Sequence, residues 1–87
     1  MTYNIKISSY AEKKMKKLGA TAEKQIFNYL KNVVAKLDDL TLLGKALVGN
    51  LSGKWRYRTG NYRIICKICN TELVVLVVDV SHRRNAY

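Results

Sequence analysis

Apolar and polar residues alternate at the start of the chain, and the pattern then changes to a helical period. Residues 3–7 alternate, which predicts a short strand. Residues 9–12 read Ser-x-x-Glu, the capping box that begins a helix, and Gly19 is suited to end that helix. One face of the predicted helix is apolar and carries Ala11, Met15 and Leu18.

A second helix is predicted from Thr21, a suitable N-cap, to about Asp38 and Asp39. Its apolar residues follow the 3.6-residue period of a helix and are Ile26, Leu30, Val33 and Leu37. Because only a tight turn separates the two helices, we expect them to form a hairpin with one apolar face.

The rest of the chain predicts β-structure, introduced by residues 47–51. Three strands are predicted, at residues 54–58, 62–68 and 73–80. Turn signals at residues 59–61 and 70–71 separate them. The last strand is almost continuously apolar, which is typical of a central strand covered on both faces. The order βααβββ predicts an α+β fold: an N-terminal helical hairpin packed on a mainly antiparallel sheet, with residues 1–87 forming one domain.

The composition favours a globular protein that binds polyanions. Hydrophobic residues make up 48% of the chain, too many for a disordered protein. The net charge of +10 favours RNA, DNA, an anionic membrane or an acidic protein as a partner. The start of the chain has no recognisable signal peptide, and the longest apolar run, residues 73–78, is far shorter than the ~20 residues of a membrane helix. We therefore expect a cytoplasmic protein that does not enter a membrane.

Cys66 and Cys69 form a Cys-x-x-Cys pair and are the only cysteines of the chain. Two thiols do not make a structural disulfide framework. Only His82 could join them as a further soft ligand, whereas a closed zinc site needs four. The simplest interpretation is two small thiols in and after a strand, and a redox or metal role is the alternative. No cofactor or metal site is predicted.

The two kinds of cation are distributed unevenly along the chain. The first 55 residues carry ten lysines and no arginine. All five arginines lie in the last 32 residues and are Arg56, Arg58, Arg63, Arg83 and Arg84. Arginine's planar guanidinium binds two phosphate oxygens at once, whereas lysine is a flexible, strongly hydrated point charge. The C-terminal region is therefore expected to bind phosphate.

Strand alternation places several of these cations on one surface. Lys54, Arg56 and Arg58 share one face of their strand, and Arg63 can lie beside them across the hairpin. Like charges side by side destabilise a sheet, so a sequence that places them there is expected to neutralise an anion. The alternative is a basic face that only keeps the protein soluble.

Two further groups of residues have competing interpretations. Lys13, Lys14 and Lys17 of the first helix either form a solvated face or contact a phosphate backbone. His82, the only histidine, either transfers protons near neutral pH or has a structural role. The sequence shows no pair of carboxylates, Gly-rich phosphate loop or Ser-His-Asp order. Any catalysis would therefore depend on cations, together with His82 or Tyr87.

Three segments together resemble the RelE/ParE toxin superfamily, and its RelE branch in particular. They are Gly49 to Ile65, Leu73 to Val78, and His82 to Tyr87. The resemblance implies a RelE-like microbial RNase fold and a toxin of a type II toxin–antitoxin system. RelE-type toxins cut messenger RNA in the ribosomal A site without a metal: the 2′-hydroxyl attacks the adjacent phosphate. The implied partners are a RelB-like antitoxin and the ribosome with its messenger RNA.

The resemblance also assigns residues to the site. The catalytic residues of the family correspond to Arg56, Arg58, Arg63, Arg83 and Tyr87. The residues expected to bind RNA around them are Lys54, Arg84, His82, Lys13, Lys14 and Lys17. Two other classes stay open: a ParE-like inhibitor of DNA gyrase, which shares the fold and acts by binding, and a non-catalytic RNA-binding module. The presence of Arg83 and Tyr87 favours the nuclease.

Overall fold

A computed structural model describes residues 3–36, 45–46, 54–69 and 71–82. The N-terminal elements are β1 (Asn4–Ile7), α1 (Ser9–Leu18), α2 (Ala20–Asn32) and a short 3₁₀ helix (Val34–Lys36). The remaining elements are β2 (Lys45–Ala46), β3 (Trp55–Thr59), β4 (Tyr62–Cys69) and β5 (Val74–His82).

The five strands form one sheet in the order β1-β5-β4-β3-β2. β1 runs parallel to β5, and the other neighbouring pairs are antiparallel. The predicted α+β fold with a mainly antiparallel sheet is confirmed, and the apolar last strand lies between β1 and β4. The two-residue strand β2 is an addition to the predicted order. Residues 47–51, which were expected to lead into the sheet, lie outside the described residues.

The core lies between the two helices and one face of the sheet. Its fully buried side chains include Met15, Ile26, Leu30, Tyr57, Ile64, Cys66, Val75, Val77 and Val80. Leu76 and Val78 of β5 stay partly exposed. Within the described part of the chain, β5 is therefore completely covered on its helical side only, and not on both faces as the apolar run predicts.

The start of α1 differs by one residue from the predicted capping box. The N-cap is Ser8, whose side-chain oxygen accepts a hydrogen bond of 3.1 Å from the backbone N–H of Ala11. Ser9, predicted to be the cap, is already the first helical residue. The backbone N–H of Ser8 also donates to the carbonyl of Val77 at 2.9 Å. Ser8 is therefore fixed by β5 as well as by the helix, a contact that sequence spacing does not reveal.

The second helix is also placed differently from its prediction. Gly19, at φ 102°, ends α1 and directly precedes α2, so Thr21 lies inside the helix and is not its cap. The helix ends at Asn32, and the chain tightens into the 3₁₀ helix. Residues 37–39, where the helix was expected to end, lie outside the described residues. Neither described helix is long and apolar enough to span a membrane.

Candidate active site

A tight hairpin between β3 and β4 positions the arginines. Thr59 pairs with Tyr62, and Gly60 and Asn61 form the turn between them. Gly60 has φ 58°, in the left-handed region that glycine adopts without steric cost. A two-residue turn fixes the register of the strands that it joins. The turn predicted at residues 59–61 is confirmed.

The register of this hairpin brings cations into direct opposition. Arg58 of β3 lies opposite Arg63 of β4. Arg56 lies between Ile65 of β4 on one side and Lys45 of β2 on the other. The expectation that the hairpin places Arg63 beside Arg58 is confirmed, and Lys45 extends the basic row by one strand. An anion bound at this row would remove the repulsion between like charges.

The opposite face of the hairpin is part of the core. Tyr57, Ile64 and Cys66 are completely buried against the helices. Because side chains alternate along each strand, this packing holds the arginines on the other face. Arg58 is exposed, whereas Arg63 is only 8% exposed. The low exposure of Arg63 follows from its place on a strand that is paired on both sides, with Ser81 of β5 as its other neighbour.

Two residues that sequence reasoning did not select lie beside these arginines. A cleft of about 230 Å³ is lined by Tyr29, Lys45, Arg56 and Arg58. Burial raises the pKa of the Tyr29 phenol above its ordinary value of 10.0, and nearby Cys66 raises it further. No sequence signal connects Tyr29 with the arginines, because it lies on α2, a long way along the chain from β3.

The lysines of α1 are not equivalent to one another. Lys14 donates to Asp79 of β5, with Nζ to Oδ1 at 2.6 Å, and its ammonium lies 5.4 Å from the ring centre of Tyr10. Lys13 and Lys17 are exposed. Of the three lysines predicted to bind RNA, Lys14 therefore already has a carboxylate partner.

His82 lies near the same helix, at the end of β5. It lines a small cleft of about 140 Å³ together with Lys14, Lys17 and Ser81. Its ring packs edge-on against that of Tyr62, with ring centres 5.5 Å apart and an interplanar angle of 88°. The structure thus brings three of the predicted RNA-binding residues together, in a cleft that is separate from the one beside the arginines.

The two cysteines show no arrangement for redox or metal chemistry. Burial raises the pKa of the Cys66 thiol to about 12, so it stays protonated at neutral pH. Cys69 is three positions further along β4, on the other face of the strand, and its Sγ lies 3.5 Å from the hydroxyl of Thr71. Within the described ranges, no group of three potential ligands could hold a metal ion.

The C-terminal candidates are not all within the described part of the chain. Arg83, Arg84 and Tyr87 lie outside it, and their roles stay predictions. Lys54 is partly exposed and directly precedes β3, where it continues the alternation that includes Arg56.

Comparison with known proteins identifies the family. The sequence profile described as "ParE toxin of type II toxin-antitoxin system, parDE" matches residues 5–87. No curated protein matches the sequence. The fold is similar to that of a chain in the toxin–antitoxin complex RelBE2 of Mycobacterium tuberculosis, with a TM-score of 0.88, 21% identity, and coverage of 98% of this chain and 95% of that one.

Two further solved structures show the same fold. The isolated RelE toxin of Escherichia coli has a TM-score of 0.70 and 21% identity, with coverage of 92% of this chain and 83% of that one. A chain of the RelE–RelB complex of Pyrococcus horikoshii has a TM-score of 0.67 and 21% identity, with coverage of 99% and 100%. The profile match across almost the whole sequence, together with the shared fold, shows that the chain belongs to the ParE toxin family, within the RelE/ParE superfamily of type II toxin–antitoxin toxins.

Proposed function

We propose that this toxin is a metal-independent endoribonuclease that cuts messenger RNA in the ribosomal A site and so inhibits translation. The observation that carries the proposal is the direct opposition of Arg58 and Arg63, with Arg56 and Lys45 in the same basic row. A row of guanidinium groups and a lysine binds a phosphate of RNA through charge-assisted hydrogen bonds.

The proposed reaction uses the RNA's own 2′-hydroxyl as the nucleophile. Its oxygen attacks the adjacent phosphorus as its proton leaves, the bond from phosphorus to the 5′-oxygen breaks, and that oxygen takes up a proton. The products are a 2′,3′-cyclic phosphate and a 5′-hydroxyl. The site must supply a base, an acid and stabilisation of the negatively charged phosphorane. We assign the stabilisation to Arg56, Arg58, Arg63 and Arg83, and the proton transfers to Tyr87, because His82 lies in a separate cleft beside α1.

The dependence on the ribosome follows from what the chain does not contain. It has one histidine and six carboxylates in all, and no carboxylate lies within residues 54–71, which include the arginine hairpin. A site without a paired acid and base depends on RNA that is already held in a reactive geometry, as messenger RNA is in the A site.

Cleavage in a translating extract, mapped by primer extension, tests this proposal. Cuts in translated messages are expected, and the same message without ribosomes should stay intact. Equally fast cleavage of naked RNA by the purified toxin would overturn the dependence on the ribosome. Because the ribosome is the proposed target, we place the action of the toxin in the cytoplasm.

We also propose an acidic or amphipathic RelB-like antitoxin as its partner. Two of the relatives with the same fold were solved in complexes that their descriptions name RelBE2 and RelE–RelB. A cleft of about 640 Å³ between β1, α1 and α2 is lined by residues that include Ile5, Ile7, Met15 and Phe27. β1 is the edge strand beside this cleft, and Phe27 is 38% exposed. Such a surface suits the apolar face of a partner segment.

Phe27→Glu tests the location of the antitoxin. The substitution places a charge in the cleft and should reduce co-purification with the antitoxin, while cleavage of messenger RNA by the free toxin is retained. Tyr10→Glu is the matched control, because Tyr10 is 61% exposed and lies outside the residues that line this cleft. Equal co-purification of both variants would place the antitoxin elsewhere on the toxin.

Inhibition of DNA gyrase is the second candidate function, because the matching family profile is that of ParE toxins. The two candidates separate in paired assays on the same preparation. Inhibition of gyrase supercoiling without cleavage of messenger RNA would replace the ribonuclease proposal, whereas cleavage without inhibition would support it.

A further inference from the structure

The cleft beside the arginines contains an aromatic ring and a lysine that the proposed cleavage chemistry does not use. We infer that Tyr29 and Lys45 complete, with Arg56 and Arg58, a binding subsite for one nucleotide of single-stranded RNA. The base stacks on the ring of Tyr29, and the three cations hold the phosphate next to it. This inference rests on the proposed ribonuclease function and extends it to residues outside the predicted site.

The subsite is assembled by tertiary structure from three separate elements. Tyr29 comes from α2, Lys45 from β2, and Arg56 and Arg58 from β3. Lys45 and Arg56 are direct register partners, which fixes their relative position. The cleft measures about 230 Å³, less than the ~300–1,000 Å³ of a pocket for a drug-sized ligand. It therefore suits a single nucleotide rather than a longer segment of RNA.

The chemistry of the four side chains matches a nucleotide in two ways. Three of them are cations, and the described residues that line the cleft include no carboxylate. The fourth is a phenol, which is neutral at physiological pH and adds no charge to repel a phosphate. Sites for single-stranded nucleic acid combine a cationic groove with aromatic rings on which bases stack.

The ring of Tyr29 is also held in place before any ligand binds. It is half-buried and packs against the core, which includes Leu30 beside it in the sequence. A ring that is already immobilised loses little conformational entropy when a base stacks on it. If Tyr29 contributed to the core alone, its replacement would change stability and leave unchanged the difference in affinity between RNA with and without the base. An experiment can measure that difference in affinity.

The probe is a fluorescent RNA of about five nucleotides, fully 2′-O-methylated so that it cannot be cleaved, with binding followed by anisotropy at low salt. Tyr29→Leu should bind it about five- to 150-fold more weakly, which corresponds to losing one base–aromatic stack of ~1–3 kcal/mol. Tyr29→Phe keeps the ring and should bind within about twofold of the parent. Tyr10→Leu, the same kind of change at an exposed tyrosine of α1, should have no effect.

A second measurement uses the parent protein and does not depend on how the variants fold. Abasic nucleotides are placed at each position of the probe in turn. One position should weaken binding by the parent as much as Tyr29→Leu does, and at that position Tyr29→Leu should bind the abasic and complete probes equally. Lys45→Met should lower the slope of log affinity against log salt by about 0.7 for the complete probe, as expected for one lost phosphate contact to a single strand.

The subsite is overturned if Tyr29→Leu, with a normal thermal melt, binds the complete probe within about twofold of the parent. It is also overturned if every abasic probe binds the parent as tightly as the complete one, or if the parent fails to bind at ~10⁻⁴ M, the weak end of non-specific affinity. Cleavage in the translating extract is measured separately. Cleavage with normal binding by Tyr29→Leu would reject the subsite alone, whereas base-dependent binding without cleavage would reject the ribonuclease function.

Discussion

Two regions of the molecule carry positive charge but differ in what surrounds it. One is the arginine hairpin, formed by β3 and β4 with Arg56, Arg58 and Arg63, and the other is the lysine helix α1. On the hairpin, two arginines oppose each other directly across a short, fixed register. On the helix, lysines lie next to acids: Lys14 pairs with Asp79 at 2.6 Å, and Lys16 lies 3.5 Å from Glu12. Lysines whose charge a neighbouring carboxylate already neutralises gain less from binding a phosphate than lysines without such a neighbour.

Charge density along the sequence is therefore a weak guide to the candidate site. The helix has four lysines within five residues, a denser run than any in the hairpin. Lysine side chains on the exposed face of a helix keep their rotamer freedom, and ordering them costs entropy. The hairpin arginines belong to strands whose other face packs in the core. Pre-organised charge stabilises a transition state more effectively than mobile charge.

The largest effect is expected for removal of a hairpin arginine. Arg63→Ala should lower the single-turnover rate of messenger RNA cleavage at saturating toxin by ~10²–10³-fold, the usual cost of losing one well-placed charge stabiliser. Lys17→Ala on the helix should leave that rate within about threefold, because phosphate-backbone contacts contribute to binding and saturating toxin compensates for weaker binding.

Arg63 is only 8% exposed, so the comparison needs a test of folding. Thermal melts of Arg63→Ala should show a cooperative transition, and Lys67→Ala, an exposed change on the same strand, should melt and cleave like the parent. A well-folded Arg63→Ala that cleaves within about threefold of the parent would show that the hairpin is not the active site.

The second prediction tests whether the face of the hairpin that packs against the helices is rigid. Cys66 has a pKa raised by burial to about 12, against 9.0 for an exposed thiol. Because the folded state holds this proton more tightly than the unfolded state, the associated stability is complete below pH 9. It is lost as pH rises toward 12, by up to ~1.4 kcal/mol per pH unit.

Urea unfolding of the parent and of Cys66→Val at pH 8 and pH 10.5 measures this loss. The parent should lose about 1–2 kcal/mol more stability than the variant between these two pH values. Titrating groups that do not interact with Cys66 cancel in the comparison, whereas Tyr29, whose pKa Cys66 also raises, adds to the loss in the parent. Equal losses of stability in the two proteins would mean that water reaches the thiol and that the strand carrying it is mobile.

The third prediction concerns the ion pair that distinguishes Lys14 from its neighbours. The side chains of Lys14 and Asp79 are 31% and 38% exposed. Their coupling free energy, measured by a double-mutant cycle with Lys14→Met and Asp79→Asn, should therefore fall in the ~0.2–1 kcal/mol range of solvent-exposed pairs. A coupling of zero would return Lys14 to the solvated face of the helix, where it would be equivalent to Lys13.

The smallest effect is expected for the exposed lysines. Lys13→Ala should lower the slope of log affinity against log salt for RNA by at most about 0.7, with a change in affinity near the detection limit. Lys14→Ala should change this slope less, because Asp79 neutralises the charge of Lys14. When Lys14→Ala is made in a protein that carries Asp79→Asn, it should change the slope as much as Lys13→Ala does. Equal slopes for both single variants would show that the ion pair opens when RNA binds.

Most of the secondary structure could be predicted from local patterns in the sequence. Gly60 between two alternating segments specified a hairpin, because a tight turn requires its backbone conformation and period-2 alternation assigns each residue to a face. The helices followed from apolar residues at the 3.6-residue period. Their ends could not be predicted as well, because Ser8 is held by a hydrogen bond to β5 and Gly19 serves both helices. Arg56, Arg58 and Arg63 were selected correctly as neighbours for the same local reason.

The distant residues that share the candidate site could be identified only from the packing of the elements. Strand β2 has two residues, too few for a periodic pattern, yet its pairing places Lys45 beside Arg56. Tyr29 carries no sequence signal of its own, and the packing of α2 places it in the arginine cleft. Asp79 forms an ion pair with Lys14, one of four neighbouring lysines on α1. Such contacts depend on how elements pack, and no local pattern encodes the distance between two residues that are far apart in the chain.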